Sequence, residues 1–262
     1  MPRQAWYRPD LAAGLTALIV LTGIVVSPLD GEAAGLRITR EYAACMRLAR
    51  VSPSEGFESA LAWGDAGGGA AAKHCAAVAL FSLGQYSEAA ERFDKLAQML
   101  PDNPVVRAKL LAQSGQAWYQ AGKIDLAFTM HSAALELVPR APEIRVDRAM
   151  VLAESGQYWK AIDDLNIALE VDPNLLDALV LRASAYRYVD ALDLAYQDVA
   201  WALELSPRYP GALLERGIIF RLQGRNDDAR QDWVTLVRDH EGIPAADAAQ
   251  RNLEKLDVKI KK

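Results

Sequence analysis

From about residue 70 onward, apolar positions recur at helical spacing in paired stretches separated by short polar turns. Leu176–Val189 followed by Leu192–Leu205 shows the unit: two amphipathic helices and a turn. Written in rows of 34 residues, the chain aligns on starts at Ala108, Pro142, Leu176 and Pro210. Gly122, Gly156, Asp190 and Gly224 fall in one column, and Ala127, Ala161, Ala195 and Ala229 in a second. Ala134, Ala168, Ala202 and Leu236 form a third; Pro139, Pro173, Pro207 and Glu241 close the rows. An earlier row carries the same marks at Gly84, Ala89, Leu96 and Pro101, but 38 residues upstream. The extra four residues are about one helical turn, which predicts a longer helix after Pro104.

Each column has a physical reason. Glycine suits the turn because it takes a left-handed backbone without steric cost. Alanine in the second helix, and Ala77, Gly115, Ala149, Ala183 and Gly217 in the first, let paired helices approach closely. Bulk fills the remaining gap at Leu80, Trp118, Leu152, Tyr186 and Phe220. Proline ends a row because it cannot continue a helix, and it opens the next row well.

The flanks carry related patterns. Ile38–Val51 has Tyr42, Cys45, Met46 and Leu48 at helical spacing, Pro53 breaks it, and Phe57, Leu61 and Trp63 mark a second helix before Gly67-Gly68-Gly69. Residues 36–69 are therefore expected to form a degenerate leading pair or cap. Residues 244–262 place Ala245, Ala249, Leu253 and Leu256 on one stripe, as a closing helix would.

Residues 1–33 differ in kind. Arg3 and Arg8 precede an uncharged apolar run, Leu11–Val26, then Pro28 and the small-residue stretch Gly31-Glu32-Ala33-Ala34. That is the layout of a cleaved signal peptide. The alternative is a retained N-terminal membrane anchor, although a helix over the run rises only about 24 Å against a hydrocarbon core of roughly 30 Å. Either reading puts the remainder on the outer side: exported, periplasmic or anchored on the outer face of the inner membrane, with membrane contact only through this segment.

Composition narrows the function classes. Hydrophobic residues make up 52% of the chain, enough for a packed core, and a net charge of -5 disfavours nucleic acid as a partner. The two cysteines, Cys45 and Cys75, form a candidate disulfide in an oxidising compartment; otherwise each is a small buried hydrophobe. His74, His131 and His240 lie in different rows without metal-ligand spacing and are expected as satisfied surface or groove histidines. Asp163-Asp164 and Asp227-Asp228 diverge by about 100° on a helix and are expected on solvated faces. The tryptophans are expected mainly as filler. No phosphate loop or hydrolase motif occurs, so no catalytic residue, metal or cofactor is expected.

Gly156-Gln157-Tyr158-Trp159-Lys160-Ala161, continuing to Ala168-Leu169-Glu170-Val171-Asp172-Pro173, resembles the tetratricopeptide repeat signature. The resemblance covers about 70–243, as five rows: 70–103, 108–141, 142–175, 176–209 and 210–243. It implies an all-α fold, a right-handed superhelical solenoid of antiparallel helix pairs, whose inner helices line a concave partner-binding groove. Carried over row by row, the inward positions are His74, Val78 and Phe81; Lys109, Gln116 and Tyr119; Val146 and Met150; Val180, Arg187 and Tyr188; and Leu214, Ile218 and Arg221. Val146, Val180 and Leu214 stand where a subclass of the family places a lysine that clamps a partner's C-terminal carboxylate, so that mode is not expected. The expected function is a non-catalytic scaffold or adaptor of the cell envelope that holds a protein or peptide, an amphipathic helix or extended apolar segment. The alternatives are a self-associating, homo-oligomeric solenoid and, more remotely, an accessory domain of an envelope enzyme.

Overall fold

The computed structural model describes residues 40–260, so the export segment of residues 1–33 lies outside the described residues. These form two compact units that divide between Val151 and Leu152. The first contains α1 (Arg40–Val51), α2 (Pro53–Trp63), α3 (Gly69–Ser82), α4 (Tyr86–Gln98), α5 (Pro104–Gln120) and α6 (Ile124–Leu137). The division falls within α7 (Pro142–Glu154). The second unit contains α8 (Tyr158–Val171), α9 (Leu176–Tyr188), α10 (Leu192–Leu205), α11 (Pro210–Leu222), α12 (Asn226–Asp239) and α13 (Pro244–Ile260). No strand occurs among the described residues. The helix α5 after Pro104 has 17 residues where α9 and α11 have 13, the extra turn that the irregular row spacing requires.

The turn inside each row is built identically. Gly84, Gly122, Gly156 and Gly224 have φ between 72° and 79°, and Asp190 takes the same left-handed region at 63°. In each case the next residue's N–H reaches a carbonyl one turn and more behind: Gln85 to Leu80, Lys123 to Trp118, Gln157 to Leu152, Ala191 to Tyr186 and Arg225 to Phe220, at 2.8–2.9 Å. This bond satisfies an orphan carbonyl of the first helix and reverses the chain into the second.

Within a row, the two helices are matched in volume. Gly115 lies against the His131 ring and Gly217 against Trp233; a Cβ would stand 2.7 Å and 2.3 Å from ring atoms. Where the small residue is alanine the partner varies, and Ala183 lies with the smaller Val199 in one buried cluster. The column of small residues in the sequence is thus half of a paired set, the other half being Phe93, His131, Leu165, Val199 and Trp233.

In the first unit, α1 buries only Cys45 and Ala49, too little to hold a helix by itself. Two features attach it. Gly56 of α2 brings the backbones together, since a Cβ there would meet Ala49 Cα at 2.5 Å. Cys45 is joined to Cys75 of α3 by a disulfide across 30 residues. Closing a loop of that length restricts the unfolded chain by roughly 3–4 kcal/mol. Replacing both cysteines with serine is expected to lower unfolding stability of the first unit by that order, and to expose the α1–α2 segment first to limited proteolysis.

The second unit ends on α13, which packs on α11 and α12 and buries Ala246, Ala249, Leu253 and Leu256. Its rows are also tied by ion pairs. Arg182 grips Asp198 through two bonds of 2.8 and 2.7 Å, and Arg216 grips Asp232 in the same way, each linking the first helix of a row to its second.

Candidate functional site

The inner-helix positions read from the sequence separate into buried and accessible groups. His74, Val78, Tyr119, Val146, Met150, Val180, Arg187 and Leu214 are buried within the chain, none more than 9% exposed. Phe81, Gln116, Tyr188, Ile218 and Arg221 are partly exposed and Lys109 is exposed. The buried members face neighbouring helices, because a residue on the inner face of one row is also in reach of the first helix of the next. A partner can touch only the accessible set directly.

In the first unit, His74 is part of a buried polar chain. Its Nε2 lies 3.0 Å from Gln113 Oε1 and its Nδ1 2.8 Å from the Tyr42 hydroxyl. Since the amide oxygen only accepts, Nε2 carries the proton and Nδ1 accepts from Tyr42. Burial pushes the Tyr42 hydroxyl up to about 12, against the pull of Arg50, and pushes His74 down. The chain crosses α1, α3 and α5, so it locks the leading helix onto the first rows. Gln116, nearby on α5, donates to Asp147 at 3.0 Å.

His131 is not a surface or groove histidine as its sequence position suggested. It is 1% exposed, stacked against Gly115, and Nδ1 has no hydrogen-bond partner. Burial, with the nearby Arg148 charge adding, lowers its pKa to about 3. The unfolded chain therefore binds a proton near pH 6.5 that the folded chain refuses until about pH 3, so stability is full above the unfolded value and falls on acidification. Lowering the pH from neutral to about 4 is expected to cost the first unit about 3 kcal/mol through this group. Urea midpoints against pH test this: His131→Phe should flatten the acid limb, and an unchanged slope would refute the assignment.

The second unit carries the denser arrangement. At the C-terminal end of α9, the Tyr188 ring stacks on Tyr158 with centroids 4.6 Å apart and planes within 7°. The Arg187 guanidinium sits 4.5 Å from the Tyr188 centroid and is bound by Glu215 of α11 and by the Ser184 hydroxyl at 3.1 Å. Glu215 is 0% exposed and Arg187 8%. Burial opposes the Arg187 charge, but the Glu215 carboxylate outweighs it and holds the guanidinium above its ordinary range. One row on, α11 presents Ile218, Arg221 and Leu222 on one face, with Leu222 47% exposed.

Several side chains sit elsewhere than expected. Asp164 is 3% exposed, not on a solvated face, because it shares the column of Asp198 and Asp232, which face the first helix of their rows; Asp163, Asp227 and Asp228 stay at the surface as expected, Asp228 pairing with Arg225 at 2.7 Å. Trp159 and Trp201 are 63% and 43% exposed, so they are not filler, whereas Trp233 is fully buried. The Arg182–Asp198 and Arg216–Asp232 pairs were missed in the sequence, although the signal existed. Arg148, Arg182 and Arg216 share one column, and Asp164, Asp198 and Asp232 share another. An open depression of about 510 Å³ lies between α8 and α10, lined by Asn166, Glu170, Arg182, Asp198 and Trp201. Its Arg182 is already consumed by Asp198 and Asn166. Among the described residues, no group of three or more His, Cys, Asp and Glu is placed to hold a metal ion, and no helix is long and apolar enough to cross a membrane.

Helix pairs of fixed length, a left-handed turn residue in each row and small–large matching between paired helices define a tetratricopeptide-repeat fold. Solved structures of that fold superpose on the chain. Yeast Tom70 does so with a TM-score of 0.64 at 21% identity, over 84% of this chain and 47% of that one. MamA from Desulfovibrio magneticus RS-1, from its residue 41 to the end, gives 0.57 at 20% identity, over 66% and 97%. YrrB, described as a tetratricopeptide-repeat protein with an unusual peptide-binding site, gives 0.52 at 18% identity, over 69% and 91%. No family model matches the sequence, and no curated protein matches it.

Proposed function

We propose that the chain is a non-catalytic scaffold of the cell envelope that holds a protein or peptide partner on the inner-helix face of its rows. The observation that carries this reading is the surface at the ends of α9 and α11. The C-terminal turns of these two helices, which pack on each other, carry Tyr188 stacked on Tyr158, partly exposed Ile218 and Arg221, and exposed Leu222; tyrosine and arginine are among the residue types that dominate binding energy at protein interfaces. The likeness in fold to YrrB, whose description names a peptide-binding site, supports the reading. Export is supported by the basic-then-apolar pattern of residues 1–33 and by the Cys45–Cys75 bridge, which persists in oxidising compartments.

Affinity capture from the native envelope, with the full chain as bait, tests the function. A partner retained by the wild-type chain and lost with Leu222→Ser or Tyr188→Ala is the expected result. Substitutions at Leu214 or Tyr119 are unsuitable, because both are buried and would report on folding. Retention of every partner by both surface variants would refute the inner-face reading. Labelling of a cysteine placed at the exposed Val234, in intact cells and with a thiol reagent that cannot cross the inner membrane, tests the location: labelling supports export and protection opposes it.

A further inference from the structure

The repeat places one arginine in a setting complete except for its anion. Arg187 and Arg221 occupy the same position in successive rows. Arg187 has three partners: Glu215, 28 residues on, supplies a carboxylate, Ser184, three residues back, a hydroxyl, and Tyr188, the next residue, a phenol oxygen. At Arg221 all three are gone, the next residue being Leu222. The residue three back is Ile218, and the residue at the Glu215 separation is Ala249 of α13, which is 0% exposed. The packing that would bring a carboxylate there is nevertheless kept, since α9 packs on α11 and α11 packs on α13. Arg221 Nε is accordingly buried with no hydrogen-bond partner, while the residue as a whole stays partly exposed.

An unpaired guanidinium beside an exposed leucine is a site for an acidic, otherwise apolar segment. The Nε itself is covered, but the residue is partly exposed and no carboxylate among the described residues pairs with it, so an incoming carboxylate meets a charge already partly stripped of water. We infer that Arg221 receives a glutamate side chain from the partner on its accessible side, a counter-charge where Arg187 has Glu215 within the chain, while the partner's apolar side covers Ile218 and Leu222. This rests on the scaffold reading above and specifies its partner: an amphipathic segment with an acidic residue on its apolar face. The position is distinct from the lysine-clamp position, which Leu214 occupies in this row.

The test uses the full chain and two capped amphipathic helical peptides, identical except for glutamate or glutamine at the centre of the apolar face. A third peptide carries the glutamine and a free C-terminal carboxylate. Binding is read by fluorescence anisotropy at physiological salt. The glutamate peptide should bind about tenfold tighter than the glutamine peptide, the discrimination of one charge-assisted hydrogen-bonded pair. Arg221→Gln should abolish that preference, and Ala249→Glu should suppress it by supplying the carboxylate from within. Because Ala249 is buried and its variant can fail to fold, Arg221→Gln, at a partly exposed position, decides the matter. Equal binding of the two capped peptides, a preference surviving Arg221→Gln, or no binding by any peptide overturns the inference. A tighter hold on the free C-terminus than on the glutamate overturns the side-chain assignment. Equal binding of both capped peptides that Leu222→Ser weakens would leave the inner face as a docking surface and remove only the role of Arg221.

Discussion

Glu215→Ala is expected to destabilise the second unit by about 3–5 kcal/mol, more than any single surface change in this chain. The reason is what it leaves behind. Arg187 is 8% exposed and is held by Glu215, Ser184 and Tyr188, so truncation strands a buried cation among neutral groups alone. The same logic makes the paired replacement mild: Arg187→Leu with Glu215→Leu removes both charges and should cost far less than Glu215→Ala alone. The Tyr158–Tyr188 stack reads the same event, because Arg187 sits over the Tyr188 face. Urea unfolding of the two single variants and the double variant measures it. A cost for Glu215→Ala no larger than for the double replacement would mean that the pair is not buried in solution.

Trp233→Ala is the second large effect, at about 3–5 kcal/mol. Trp233 is fully buried, lies on Gly217, and donates its indole N–H to the Leu214 carbonyl at 3.3 Å. Removing the ring opens a cavity between α11 and α12 beside Gly217. Gly217→Ala attacks the same contact from the other side, since its Cβ would stand 2.3 Å from the indole nitrogen. Overpacking of that kind costs about 1–3 kcal/mol. The two should not add: with Ala at position 233, the methyl of Gly217→Ala enters space already vacated and should be neutral or stabilising. Additive costs would show that the two positions do not share one volume.

The repeat itself was legible because three physical requirements recur at one spacing. The left-handed turn demands glycine, the close approach demands a small residue, and the row boundary tolerates proline. Asp190 shows how far the pattern can be trusted: it departs from glycine in the sequence yet adopts the same φ and makes the same turn bond. The longer α5 was also legible, as a four-residue slip in an otherwise fixed register.

The inner face was legible only in part. Periodicity assigns a residue to a face, but this face serves two purposes, packing against the next row and meeting solvent. Val180 and Leu214 resemble groove residues in the sequence and are buried in the structure. Burial of Arg187 was hidden for a related reason. Its partner Glu215 lies 28 residues away, next to Arg216, and nothing local shows that Arg216 turns to Asp232 while Glu215 turns inward to Arg187. His131 was hidden by chemistry: a histidine that fills the place of Phe93 and Trp233 in other rows is a volume first and a base second.

In the function proposed above, the ends of α9 and α11 hold the partner. The most direct measurement is envelope capture with the full wild-type chain and with Leu222→Ser, after both are shown to unfold at the same urea concentration. Leu222 is exposed, so its replacement leaves the fold intact and changes only the surface. Loss of a reproducible partner from the variant is the predicted result. Equal recovery of the same partners by both chains would contradict the account.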